Sequence, residues 1–183
     1  MDFTQDWFTS NIANFEHAKK VMTDNKSILE IGCFEGRATC WMLENMLADD
    51  GKIYCIDTFK GGVEHSDLDL SRLRDVFEEN ISACAKPKQE VKILENLSFK
   101  SLAMLIMAEL EFDFIYVDGS HELLDVLTDS VMAFRLLKPG GVMLFDDYGG
   151  GQDVRKAVDL FLLGCGKLCT VLCCNYQLAI QKV

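Results

Sequence analysis

Hydrophobic residues along this chain fall into two alternating patterns. Short apolar runs, closed by glycine or aspartate, read as buried parallel strands, which are covered on both faces and need no polar alternation. Between them lie longer stretches with apolar residues every three or four positions, the period of an amphipathic helix. The first run is Ser27–Ile31, with a glycine directly after it. The second spans 52–56 and ends at Asp57, and the third spans 91–94. The fourth, 112–117, ends at Asp118, and the fifth, 141–145, ends at Asp146 and Asp147. Beyond Gly36, Trp41, Met42 and Met46 have helical spacing. A second helix places Leu70, Leu73, Val76, Phe77 and Ile81 on one face. Further helices are predicted over 99–110, 123–137 and 154–163, with Lys138-Pro139-Gly140-Gly141 stopping the second of these three. Two more strands are predicted within 168–182, and one helix over the first 24 or so residues.

The alternation predicts an α/β fold. A mostly parallel central sheet of about seven strands carries helices on both faces. The whole of 1–183 is expected to form a single domain, with 1–24 as an N-terminal helical extension. The chain shows no linker, repeat or low-complexity stretch.

The acids carry the first functional signal. Asp57, Asp118, Asp146 and Asp147 all follow predicted strand ends, where open α/β sheets bind ligands. Four carboxylates gathered there repel one another unless a cation or hydrogen-bond donors join them. Asp118, Asp146 and Asp147 are hard oxygen ligands suited to Mg²⁺ or another divalent cation. His121, three residues past Asp118, can turn into the same cleft as a general base for an alcohol; helix capping is the alternative.

The second signal is Glu30-Ile31-Gly32-Cys33-Phe34-Glu35-Gly36, which follows a strand and opens a helix. Glycines there let the backbone turn tightly and a ligand approach closely. Asp57 stands at the end of the next strand, placed to accept hydrogen bonds from a ribose diol. A nicotinamide dinucleotide needs the denser G-x-G-x-x-G cradle, and Glu30 would repel its phosphates. S-adenosylmethionine, with an ammonium, a sulfonium and a ribose but no phosphate, fits better.

These segments, LEIGCFEG, IYCIDTFKGG and FDFIYVDGSHELLDVLTDSVMAFRLLKPGGVMLFDDY, resemble the class I S-adenosylmethionine-dependent methyltransferases. More narrowly, the chain is similar to the group holding catechol-like and macrolide-sugar O-methyltransferases and cephalosporin-hydroxylase-like proteins. The resemblance spans about 27–148. Its most specific part is the ordered D-G-S-H, L-K-P-G-G and D-D-Y. It implies a Rossmann-like sandwich. It also implies cofactor contacts from Glu30, Gly32, Cys33, Phe34 and Gly36 to the methionine part. Asp57 would hold the ribose and Asn96, Leu97 and Ser98 would lie by the adenine, with Thr58, Phe59, Asp118 and Gly119 as further cofactor contacts. Related enzymes hold a divalent metal between acids like Asp118, Asp146 and Asp147, which makes Asp118 and His121 the catalytic candidates. Catechol-type members commonly carry an amide where this chain has Asp147.

Composition narrows the partners. A net charge of −11 disfavours nucleic acid and acidic membrane surfaces. A small hydroxylated molecule, a sugar or a phenol, is the expected acceptor. N-methylation, and cofactor binding without transfer, are the alternatives. The eight cysteines are scattered and no secretory leader is evident, so free thiols in a reducing cytoplasm are expected. Cys165, Cys169, Cys173 and Cys174 lack the spacing of a zinc site and read as buried small apolar residues. Trp7, Phe8 and Phe15 are expected to pack in the core; a lid over the acceptor pocket and a partner interface are the alternatives, and a homodimer is the oligomer to consider. His65, in the loop 60–65, borders either the pocket or solvent, and His17 is expected at the surface.

Overall fold

The computed structural model describes residues 1–62 and 65–183; Val63 and Glu64, part of the loop around His65, lie outside the described residues. Seven strands form one sheet: β1 (Ser27–Ile31), β2 (Lys52–Asp57), β3 (Glu90–Glu95), β4 (Phe112–Val117), β5 (Leu137–Phe145), β6 (Cys169–Cys174) and β7 (Leu178–Lys182). Their order is β3-β2-β1-β4-β5-β7-β6. The first five are parallel, and β7 runs antiparallel between β5 and β6. The order reverses between β1 and β4, which opens a crevice at the carboxyl ends of those strands.

Alternation along the strands divides the core in two. Ile28, Phe114 and Val142 face α1 (Ile12–Val21), α2 (Arg37–Asn45) and α3 (Leu73–Cys84). Leu29, Ile115 and Met143 face α4 (Ser98–Met107), α5 (Leu123–Leu136) and α6 (Gln152–Cys165). Each fully buried Leu or Phe contributes roughly 1.5–3 kcal/mol, so the apolar runs of the central strands dominate the stability. Among the described residues no helix is long and apolar enough to cross a membrane.

The structure differs from the sequence reading at several ends. β5 begins at Leu137, four residues early. Pro139 cannot continue a helix and forces Lys138 to be extended. The chain therefore passes from α5 straight into the strand, with a register shift between Phe112 and Phe114. α3 starts at Leu73, leaving Leu70 in the preceding loop against Gly61. The N-terminal helix is confined to Ile12–Val21, preceded by a 3-10 turn at Thr9–Asn11. Residues 1–8 form an irregular strap instead, because their polar groups find tertiary partners. The Thr4 amide and hydroxyl donate to Glu35 at 2.7 and 2.6 Å, Asp2 exchanges hydrogen bonds with Asn80, and Arg37 Nε donates to the Gln5 carbonyl at 3.0 Å. The late cysteines are not uniformly buried: Cys165 is, but Cys174 is exposed on the edge strand β6.

Candidate active site

The turn after β1 is held by backbone geometry. Gly32 has φ +83°, and a Cβ there would lie 1.8 Å from the Asp118 carbonyl oxygen. Its amide donates to Ile56 O at 2.8 Å, and the Asp118 amide donates to Ile31 O at 2.8 Å. The ends of β1, β2 and β4 are thus stitched together where the crevice opens. Asp57 completes the turn: its Oδ2 accepts from the amides of Cys33 (2.7 Å) and Phe34 (2.9 Å), and its Oδ1 from Phe59 (2.7 Å). Three amides aimed at one carboxylate hold Phe34 at φ +48° without a glycine.

A cleft of about 940 Å³ opens over this turn. Glu30, Gly32, Cys33, Phe34, Asp57 and Thr58 line it at one end. Asn96, Leu97 and Ser98 line it from the start of α4. Asp118, Gly119, His121, Asp146 and Asp147 line it from β4 and β5. Two expected cofactor residues turn away. Gly36 packs on α3, where a Cβ would meet the Phe77 ring at 2.9 Å. Phe59 is buried against Phe77, with the Arg74 guanidinium over its ring. Their φ angles, +82° and +53°, shape the loops while their faces serve the core.

The acidic end is ordered by two tyrosines. The Tyr116 hydroxyl lies 2.7 Å from Asp146 Oδ2 and 3.0 Å from Asp118 Oδ2. The Tyr116 hydroxyl thus faces both carboxylates as a donor, with the shorter contact to Asp146. Burial, with Asp146 and Asp147 nearby, pushes the Asp118 carboxyl well above the usual carboxylate range. Asp146 is raised by burial too, although Tyr116 and Gln177 donate to it. Asp147 is held low by its contact with His121, whose Nε2 lies 2.9 Å from Asp147 Oδ2. The Tyr176 hydroxyl donates to Asp147 Oδ1.

The expected metal set was Asp118, Asp146 and Asp147. The set whose ligand atoms converge is Asp118, His121 and Asp147, all within 4.8 Å of one another. Asp146 lies outside that set and accepts from Tyr116, Gln177 and, at 3.4 Å, Asn11. The two carboxylates of that set are hard oxygen donors that fit a divalent cation.

Several site residues escaped the sequence reading. Trp7 is 53% exposed rather than in the core. It stands at the cleft with Phe34 (ring centroids 5.2 Å apart) and His65 (5.6 Å), and Phe34 and His65 stack at 5.1 Å. Phe8 and Phe15 are core residues, as expected, and His17 is exposed. Tyr116 had a signal, since strand alternation puts it on the same face as Asp118. Tyr176 and the strap had none, because only tertiary packing brings them to the cleft.

Residues 29–148 match the family described as methyltransferase domain, more than half of the chain. The chain belongs to that family and is a class I S-adenosylmethionine-dependent methyltransferase. A comparison with curated protein sequences found no match. Solved structures share the fold. A putative rRNA-methylase from Clostridium thermocellum superposes with a TM-score of 0.71 at 14% identity, covering 98% of each chain. An O-methyltransferase from Bacillus cereus in complex with SAH gives 0.67 at 16% identity, over 98% of this chain and 84% of that one. The O-methyltransferase NovP gives 0.65 at 15% identity, over 94% and 79%.

Proposed function

We propose that this methyltransferase acts on a hydroxyl of a small acceptor, assisted by a divalent cation between Asp118 and Asp147. The observation that carries the reading is the His121–Asp147 contact of 2.9 Å beside Asp118, at the strand ends next to the glycine turn. When bound, S-adenosylmethionine supplies a methyl group activated by its sulfonium, and a divalent cation such as Mg²⁺ favours an ionised hydroxyl.

The chain's own residues do the rest. Gly32 and its neighbours seat the methionine part, Asp57 faces the ribose, and Asn96 and Ser98 flank the adenine. With Nε2–H donating to Asp147, the His121 lone pair sits on Nδ1, which takes the acceptor proton. Asp147 orients the ring and favours its charged form once that proton arrives. Tyr176 in turn fixes Asp147. The strap and its aromatic residues keep water from the reacting atoms.

Charge argues against an RNA acceptor. Among the described residues lining the cleft, Arg37 is the only Lys or Arg, and it is engaged with Asp6 and Gln5. A phosphate backbone meets no cationic track there.

The test is calorimetric titration with S-adenosylmethionine, with and without Mg²⁺, followed by label transfer to a panel of phenols and sugars. Cofactor binding and Mg²⁺-dependent transfer to a hydroxyl are expected. Transfer to amines alone, or transfer indifferent to chelator and to Asp118→Asn, overturns the reading.

A further inference from the structure

Beneath the glycine turn lies a second cluster with different chemistry. Glu30 and Cys55 are paired directly on the adjacent parallel strands β1 and β2, so both side chains leave the same face of the sheet. The turn then folds Cys33 down over them. A carboxylate oxygen of Glu30 and the two sulfurs lie within 4.8 Å of one another, and all three residues are buried. The Glu30 carboxylate is only half satisfied. Oε2 accepts from the Thr39 hydroxyl at 2.5 Å and from the Cys55 thiol at 3.9 Å. Oε1 is buried and has no hydrogen-bond partner. A buried polar oxygen without a partner is destabilising unless something joins it.

We propose that Glu30, Cys33 and Cys55 form a binding site for a soft divalent cation, of which zinc is the representative. This inference does not depend on the methyl-transfer reading. Two sulfurs and one carboxylate match the ligand types zinc selects and are wrong for Mg²⁺. Tetrahedral zinc with bonds of about 2.3 Å to sulfur separates its ligands by roughly 3.8 Å, so the trio needs to close by about an ångström. Glu30 and Cys33 line the cleft, which supplies the entry path and a fourth position open to a small ligand. Burial raises the Cys33 and Cys55 thiols and lifts the Glu30 carboxyl to about 8. Binding at neutral pH therefore expels the two thiol protons, and the carboxyl proton where present, into the buffer. The cation and the methionine end of the cofactor share one place, and they compete.

The experiment uses the whole reduced chain, stripped with a chelator and titrated with Zn²⁺, and with Co²⁺ as a spectroscopic reporter. One ion per chain is expected, with proton release and a near-ultraviolet sulfur-to-cobalt charge-transfer band. Cys33→Ser, Cys55→Ser and Glu30→Gln should each weaken zinc by more than about 100-fold, beyond the roughly 10–100-fold that outer groups around a metal site cost. Cys165→Ser, remote from the cluster, should leave binding unchanged. Glu30→Gln is isosteric and keeps the test decisive if a serine variant misfolds. Absence of zinc binding, absence of the charge-transfer band, or unchanged binding in the Cys33→Ser/Cys55→Ser double variant overturns the site. Bound S-adenosylhomocysteine should raise the apparent zinc dissociation constant. Cofactor binding without zinc binding sinks this inference alone; zinc binding without cofactor binding sinks the functional reading alone.

Discussion

Gly32 and Asp118 are in backbone contact: a β-carbon on Gly32 would stand 1.8 Å from the Asp118 carbonyl oxygen. This joins the cofactor turn to the acidic strand end, so neither can move without the other. Gly32→Ala must relieve both the overlap and a φ of +83°. It should cost at least about 2 kcal/mol in urea unfolding and abolish cofactor binding. Wild-type affinity in the variant would show that the contact is not what shapes the turn.

His121 and Asp147 act as a pair. His121→Gln should lower kcat by roughly 10²–10⁴-fold while the cofactor dissociation constant stays within about twofold. Asp147→Asn removes the partner of the imidazole and should lower kcat less. In the double variant the two effects should fall well short of multiplying, since both residues serve one proton transfer. Independent effects in steady-state kinetics would contradict the pairing.

Asp129, buried in α5, has an Oδ1 without a partner. Burial, with Asp125 adding to it and Ser98 opposing it, lifts its carboxyl to about 6. The folded state therefore binds this proton more tightly than the unfolded chain does. The resulting stability is present below about pH 4 and is lost as pH rises towards 6. Asp129→Asn should flatten the pH dependence of unfolding between about 4 and 6 and stabilise the chain at pH 8 by up to about 3 kcal/mol. A variant with an unchanged pH profile would assign that dependence to other groups.

Trp7 is half exposed yet rests on Phe34 and His65 at the mouth of the cleft. Trp7→Ala should cost about 1 kcal/mol of stability, the value of the lost aromatic contacts. Ligand binding should weaken more, roughly tenfold by calorimetry, because the strap loses its hold over the cleft. Equal affinity in the variant would reduce the strap to a packing element.

Much of the fold was legible because the strands are short, continuous and apolar. Ser27–Ile31 and Phe112–Val117 came out with the bounds the pattern predicts, since both are buried centrally and bounded by a glycine and an aspartate. The pattern failed where its cues conflict. Lys138-Pro139-Gly140-Gly141 carries stop signals for a helix, yet it runs within β5, with Gly140 at φ +77°. Residues 1–8 carry apolar side chains without helical partners of their own, and their conformation is set by Glu35, Asn80 and Arg37.

By itself the sequence determined the strand–helix rhythm, the glycine turn, and the placing of Asp57, Asp118, Asp146 and Asp147 at strand ends. These follow from local periodicity and from chain direction in a parallel sheet. Tertiary structure alone decided how the acids divide their work. Tyr116 and Gln177 engage Asp146, while His121 and Tyr176 engage Asp147. It also set Glu30, Cys33 and Cys55 together, and laid Trp7 beside Phe34. Those relations depend on sheet register and on packing between residues far apart in the chain, and no local period encodes either.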